Sequence, residues 1–174
     1  MKYNFKIGDI SIESDEPIEV TTLKPDKDPS KIEVTLNQLK SLMDVFNDRI
    51  FDLNQYSDED INKFESETGF KLSDDTKFYF KSIGAFRCGD FCVPRVDKNI
   101  NFTKEWKDTI ATEDQKDKYV VIEADGGDYT LIDNSGIVYV YEGKTKETKT
   151  NNESIYTHIC KHILSKLVGE GCKY

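Results

Sequence analysis

The sequence predicts an α+β protein, and two observations predict it. From Thr35 onward apolar residues recur at spacings of three and four, and two later segments open with Ser followed by acidic residues, which is how helices begin. Between Tyr119 and Tyr141, three runs rich in Val, Ile and Tyr are separated by Gly, Asp and Asn turns, which describes an antiparallel meander. The chain has 174 residues, close to the size of one domain with a small extension. Ten Phe, nine Tyr and one Trp, against a charged fraction of 33%, place it among folded chains with a heavily solvated surface.

The elements follow in order. Residues 1–34 begin with alternation: Tyr3, Phe5 and Ile7, then Gly8-Asp9, then Ile10 and Ile12, and further on Ile18 and Val20. A Gly-Asp pair between period-2 runs is a tight-hairpin signal, so this segment reads as a small β unit. Lys24 to Ser30, interrupted by Pro25 and Pro29, reads as a connecting loop. Leu36, Leu39, Leu42, Met43, Phe46, Ile50 and Leu53 then form one stripe of an amphipathic helix, with Thr35 and Gln38 in capping-box positions. A second helix starts at Ser57, buries Ile61 and Phe64, and stops at Gly69; a third starts at Ser73 and stops at Gly84. The carboxylates of Asp58, Glu59, Asp60, Asp74 and Asp75 lie in first turns, where the partial positive charge of a helix N-terminus stabilises them. Capping therefore explains them without catalysis.

From Arg87 to Lys118 the pattern is weak, with Phe91 to Val93 a short strand and Trp106 an anchor. The meander follows, then a polar edge strand over Thr145 to Thr150 whose lysines discourage wrong pairing. A last helix runs from about Glu153 to Val168 and ends at Gly169. On a helical wheel Ile155, Tyr156, Ile159, Cys160, Ile163, Leu164 and Leu167 share a broad apolar face, and His158 and His162 fall near the opposite side, which predicts that both histidines face water.

Composition excludes several functions. Net charge −9 opposes a nucleic-acid surface, which needs clustered Lys and Arg. The acids are spread along the chain, so charge points to a basic partner met over a broad surface. The start lacks a signal-peptide apolar core, and the longest apolar runs fall far short of the ~20 residues of a membrane helix, so the expected location is the cytoplasm. There Cys88, Cys92, Cys160 and Cys172 are expected as free thiols. His158, Cys160 and His162 invite a zinc reading, but the wheel sets the histidines apart from Cys160, and packing is the better account; no cofactor and no metal is expected. No nucleophile motif and no phosphate loop is present in the sequence.

One arrangement is familiar. Ser57-x-x-Asp60-Ile61-x-x-Phe64-Glu65-x-x-x-Gly69-x-x-Leu72, followed by Asp74, Asp75, Phe78, Phe80 and Gly84, resembles the N-terminal signature of the SUKH superfamily. Gly127-Asp128-Tyr129-x-Leu131-x-Asp133-x-x-Gly136-x-Val138-Tyr139 is similar to its second signature, and the terminal helix fits as well. The likeness covers roughly residues 36–168. Ser73 stands where Leu-Pro is usual, and Ile83-Gly84-Ala85 where Asn-Gly is usual.

The resemblance implies a SUKH-like α+β domain over residues 35–174, with a mixed, largely antiparallel sheet flanked by helices. Residues 1–34 would then be an N-terminal β-hairpin extension packed on or beside it. It also implies a binding role without catalysis: bacterial members are immunity proteins that neutralise a cognate toxin, often a nuclease or deaminase, and fungal relatives regulate cell-wall synthesis. On a basic toxin, acidic side chains would stand where substrate phosphates sit. The nearest acids of the meander are Glu123, Asp125, Asp128 and Asp133, the candidate partner-binding residues, although Asp125 to Asp128 and Asp133 to Gly136 also have ordinary turn chemistry. A third reading, Asp125 and Asp128 as a carboxylate pair acting on a glycan, has no histidine placed to help it.

Overall fold

The computed structural model describes residues 3–7, 10–14 and 34–168. The expected Gly8-Asp9 turn, the 24–30 loop, the Gly169 stop and Cys172 lie outside the described residues. Strands β1 (Tyr3–Ile7) and β2 (Ile10–Ser14) pair antiparallel, as the alternation predicts.

Helix α1 (Leu36–Val45) starts on a complete capping box: Thr35 Oγ1 accepts from the Gln38 amide, and the Gln38 side chain accepts from the Thr35 amide at 2.8 Å. The helix ends earlier than its stripe. A 3-10 turn, Asn47–Arg49, leads into β3 (Ile50–Asn54), so Ile50 and Leu53 are strand residues and not helix residues. Ile50 pairs with Cys88 and Phe51 with Arg87, and the pairing to a neighbouring strand replaces the helix's own hydrogen bonds.

Helix α2 (Asp58–Thr68) is capped by Ser57 and Asp60 acting reciprocally, and closes on Gly69 in the left-handed region at φ 69°. Helix α3 (Asp74–Ser82) is capped by Ser73. Buried Glu65 ties the two together: it accepts from the Leu72 amide and pairs with Lys71 and Lys77 at 3.0 Å each. Burial raises its carboxyl, yet these partners outweigh burial and hold it below the ordinary carboxylate range.

Strands β4 (Ala85–Cys88) and β5 (Phe91–Val93) complete a sheet of order β3-β4-β5. Helix α4 (Val96–Thr109) and the short α5 (Glu113–Lys116) fill the stretch where the sequence pattern is weak. The meander is β6 (Tyr119–Asp125), β7 (Asp128–Asp133) and β8 (Ile137–Glu142), to which β9 (Glu147–Ser154) adds the expected polar edge. Every ladder among the described residues is antiparallel. Helix α6 (Ile155–Val168) follows without a loop.

The four-stranded sheet is covered on both faces. Val120, Ile122, Ile132 and Val138 join the main core with α1, α2, α3 and α6, while Val121, Leu131, Tyr129 and Tyr141 form a second core around fully buried Trp106 of α4. Two-sided cover is why Val120, Val121 and Ile122 are all buried and why β6 reads as a continuous apolar run. It also explains the weak signal of α4. Wedged against α2 on one side and β6 on the other, this helix buries Asn99 and Thr103 beside Val96, Ile100 and Trp106, so no clean apolar stripe forms.

Candidate functional site

The four acids expected to bind a partner do not form one cluster. Asp125 and Asp128 face each other across the Gly126-Gly127 turn, at one end of the β6-β7 hairpin. Asp133 pairs with Tyr119 at the other end, five residues away along β7, about 17 Å at strand rise. Glu123 lies between these ends and turns inward.

Local bonds occupy three of the four. Asp133 Oδ1 accepts from the amides of Ser135 at 2.9 Å and Ile137 at 3.0 Å, and its Oδ2 accepts from the Tyr139 hydroxyl. That is the turn chemistry the sequence shows as the alternative to an interface. Asp128 Oδ1 accepts from the Gly143 amide at 2.8 Å, locking the β6-β7 turn to the β8-β9 turn. The approach is so close that a Cβ on Gly143 would stand 2.5 Å from the Gly127 carbonyl oxygen. Glu123 accepts from Thr130 Oγ1 at 3.1 Å. Asp125 is exposed, and with Asp128 it presents carboxylates on a rigid turn pair.

Glu123 leads to a feature the sequence reading places wrongly. His158 does not face water: it is 3% exposed, between Glu153 at the end of β9 and Glu123 of β6. Its Nδ1 donates to Glu153 Oε1 at 3.1 Å, and its Nε2 stands 3.9 Å from Glu123 Oε2, too long for a hydrogen bond and short enough for charge attraction. Glu153 also accepts from Lys161 at 2.5 Å. His162, half-buried, stacks on Phe91 of β5 at 4.7 Å between centroids, with the His158 ring 4.3 Å away. The buried arc of α6 extends past Ile155 because β5, β6 and β9 all meet it there, so a wheel centred on the aliphatic residues misses the polar half of the interface.

The electrostatics follow from that packing. Burial by itself would lower the His158 pKa, but the carboxylates of Glu123 and Glu153 outweigh it and the imidazole titrates above its ordinary value. Burial, reinforced by the neighbouring His158 charge, pushes His162 down to about 4. Glu153, for which burial is the opposing effect, is held at about 2 by His158 and Lys161. The two carboxylates thus favour the charged form of His158, and burial favours the neutral ring of His162.

This arrangement joins β6, β9 and α6. Among the described residues, no group of three or more His, Cys, Asp or Glu side chains is arranged to ligate one. Cys88 and Cys160 are buried free thiols and Cys92 an exposed one, and burial pushes Cys160 up to about 12, far from a thiolate at neutral pH. No described helix is long and apolar enough to cross a membrane.

A second surface went unnoticed in the sequence. Phe51 and Leu53 of β3 are 49% and 56% exposed, and the Arg87 guanidinium lies 6.0 Å above the Phe51 ring. Register sets Phe51, Arg87 and Cys92 in one row across β3, β4 and β5.

No curated protein matches the chain. The family model described as SMI1-KNR4 cell-wall, SUKH_5, matches residues 32–164, which spans both signatures, the meander and most of α6. The match takes in the capped α2-α3 pair, the antiparallel meander with its Asp133 turn and most of the closing helix, and the chain belongs to the SUKH superfamily.

Proposed function

We propose that this chain is a non-catalytic protein-binding domain, and that its role is immunity: it binds and neutralises a cognate bacterial toxin, basic and of the nuclease type, in the cytoplasm. Family membership is the observation that carries the reading. Net charge −9, with acids distributed over the whole chain, supports a basic partner. Such complementarity accelerates encounter and rejects wrong partners more than it sets final affinity. Asp125 and Asp128, exposed on a braced turn, are the acids of the meander best placed to meet a cation; Glu123 and Asp133 would act by shaping that hairpin.

The test is co-expression with the product of the neighbouring open reading frame. A stoichiometric complex at micromolar concentration, and loss of that product's toxicity, are the expected results. A well-folded chain that neither associates nor protects, at low or moderate salt, would rule the immunity reading out. The words cell-wall in the family description favour a second reading, an intracellular regulatory interaction module. In that case deletion of the gene sensitises the cell to wall-active agents and leaves sensitivity to neighbouring toxins unchanged.

A further inference from the structure

The β3-β4-β5 sheet carries an outer face of unusual composition. Phe86, Cys88, Phe91 and Val93 are buried, and the cross-strand row of Phe51, Arg87 and Cys92 is exposed. Of the three large apolar side chains exposed among the described residues, Phe51 and Leu53 are two. All three arginines of the chain border the same sheet: Arg49 precedes β3, Arg87 lies in β4 and Arg95 stands two residues past β5. Every other basic residue of the chain is a lysine. Protein interfaces are enriched in aromatic side chains and Arg and poor in Lys and Glu, and Arg with large rings supplies much of their binding energy.

The cations of this face are loosely held. The Arg87 guanidinium offers five donors in a planar fork, yet among the described residues it makes no hydrogen bond, and its ion pair with Asp52 is 3.8 Å long between side chains 55% and 65% exposed. Its position 6.0 Å above the Phe51 ring sets charge and apolar surface side by side. Arg49 meets Asp48 at 3.6 Å, also in the open. Such pairs contribute at most about 1 kcal/mol. Arg95 and Lys98 are exposed and hold no ion pair among the described residues, because Asp97 between them is taken by Lys63 of α2. Lys98 and Arg87 both act on the Cys92 thiol, so positive charge reaches across the sheet. Lys63, Lys104 and Lys166 show the contrast, each within 2.6 Å of a carboxylate. An incoming carboxylate would therefore displace little here.

Other occupants fit less well. Asp48 and Asp52 stand among the cations, which opposes a polyphosphate. In an isologous dimer the patch would meet itself, cation against cation, with net charge −9 on each copy. We propose that this face is a docking surface for an acidic, apolar segment of a partner protein, whose carboxylates take the Arg87 fork and Lys98 while its apolar side chains cover Phe51 and Leu53. The inference rests on the reading of the domain as protein-binding and is independent of whether the partner is a toxin. The surface is opposite in charge to the Asp125-Asp128 turn, so no single segment serves both.

Synthetic nine-residue peptides titrated into the full chain, with amide shifts read by NMR, test this without any natural partner. One peptide alternates Leu with Glu, a second Leu with Lys, and a third Ser with Glu. The Leu-Glu peptide is expected to shift the amides of Phe51, Leu53, Arg87 and Cys92 saturably, and to bind at least about tenfold more tightly than either of the others. Arg87→Glu should weaken it about tenfold and Leu53→Ser about fivefold, with the β6-β9 amides unmoved as the control of folding. The absence of a saturable shift on these amides overturns the proposal, and so does equal binding of the Leu-Lys or the Ser-Glu peptide. An oligothymidylate that shifts the same amides as strongly assigns the face to nucleic acid and overturns it. Shifts that grow with protein concentration alone assign it to a second copy and overturn it likewise.

Discussion

His158 and His162 stand one helical turn apart and respond to pH in opposite senses. His158 titrates above its ordinary value in the fold, so it contributes stability that is fully present below about pH 6.5 and is lost as pH rises through the folded value. His162, held at about 4, contributes the reverse: the unfolded chain takes up a proton near pH 6.5 that the fold refuses, so stability falls as pH drops from there toward 4. Glu153, at about 2 in the fold, adds a further loss as pH falls through the ordinary carboxylate range. The unfolding free energy in urea should therefore peak near pH 6 to 7, and His162→Phe, which keeps a ring on Phe91, should flatten the acid side of that profile. His158→Ala removes the group between Glu123 and Glu153, leaving Glu153 with Lys161 alone and Glu123 with no cation within ion-pair distance among the described residues, and should cost about 2 kcal/mol at neutral pH. A cost below 1 kcal/mol would mean that the clamp contributes no more than a surface ion pair.

Among the elements, the joint between α3 and β4 is the least forgiving. Gly84 holds φ 72°, and a Cβ there would stand 2.1 Å from the carbonyl oxygen of Asn54, where β3 ends against the α3 terminus. Gly69 closes α2 at nearly the same φ, 69°, with nothing within 4 Å of its would-be Cβ. The pair separates strain from clash. Gly69→Ala should cost about 1 kcal/mol, the left-handed penalty alone, and Gly84→Ala at least about 3 kcal/mol, with faster exchange at β3. Equal thermal shifts in the two variants would show that the chain relaxes around Gly84. The same joint fixes the position of Phe51 and Leu53, because Asn54 is the last β3 residue paired to β4.

For the molecule as a whole, charge is the property that a partner meets first. Asp125→Asn with Asp128→Asn keeps the Oδ1 acceptor that holds Gly143, so the fold and its melting temperature should be unchanged. Association with a basic toxin should slow by about two- to fivefold at low salt, and the difference should vanish near about 0.5 M salt, where screening is effective within a few ångströms. An unaltered association rate at low salt would remove these acids from the interface. The two cores make the platform for that hairpin rigid, since Leu131 and Ile132 of β7 are buried in opposite cores.

Helices that begin on polar caps, the glycines that end them, and the meander are legible from the residues alone, because each depends on positions close to one another along the chain. Ser57 with Asp60, Gly69, and Asp133 with Gly136 are legible for that reason. The sequence also carried the two signatures by which the family could be named. That the α1 stripe breaks at Asn47, that α4 fills the stretch without a pattern, that His158 is buried between two carboxylates and that β3 carries exposed Phe51 and Leu53 follow from packing alone. Those outcomes depend on residues such as Glu123, Cys88 and Arg87, distant along the chain from His158, Ile50 and Phe51 that they meet, and the free energy of burial is set by which surfaces meet.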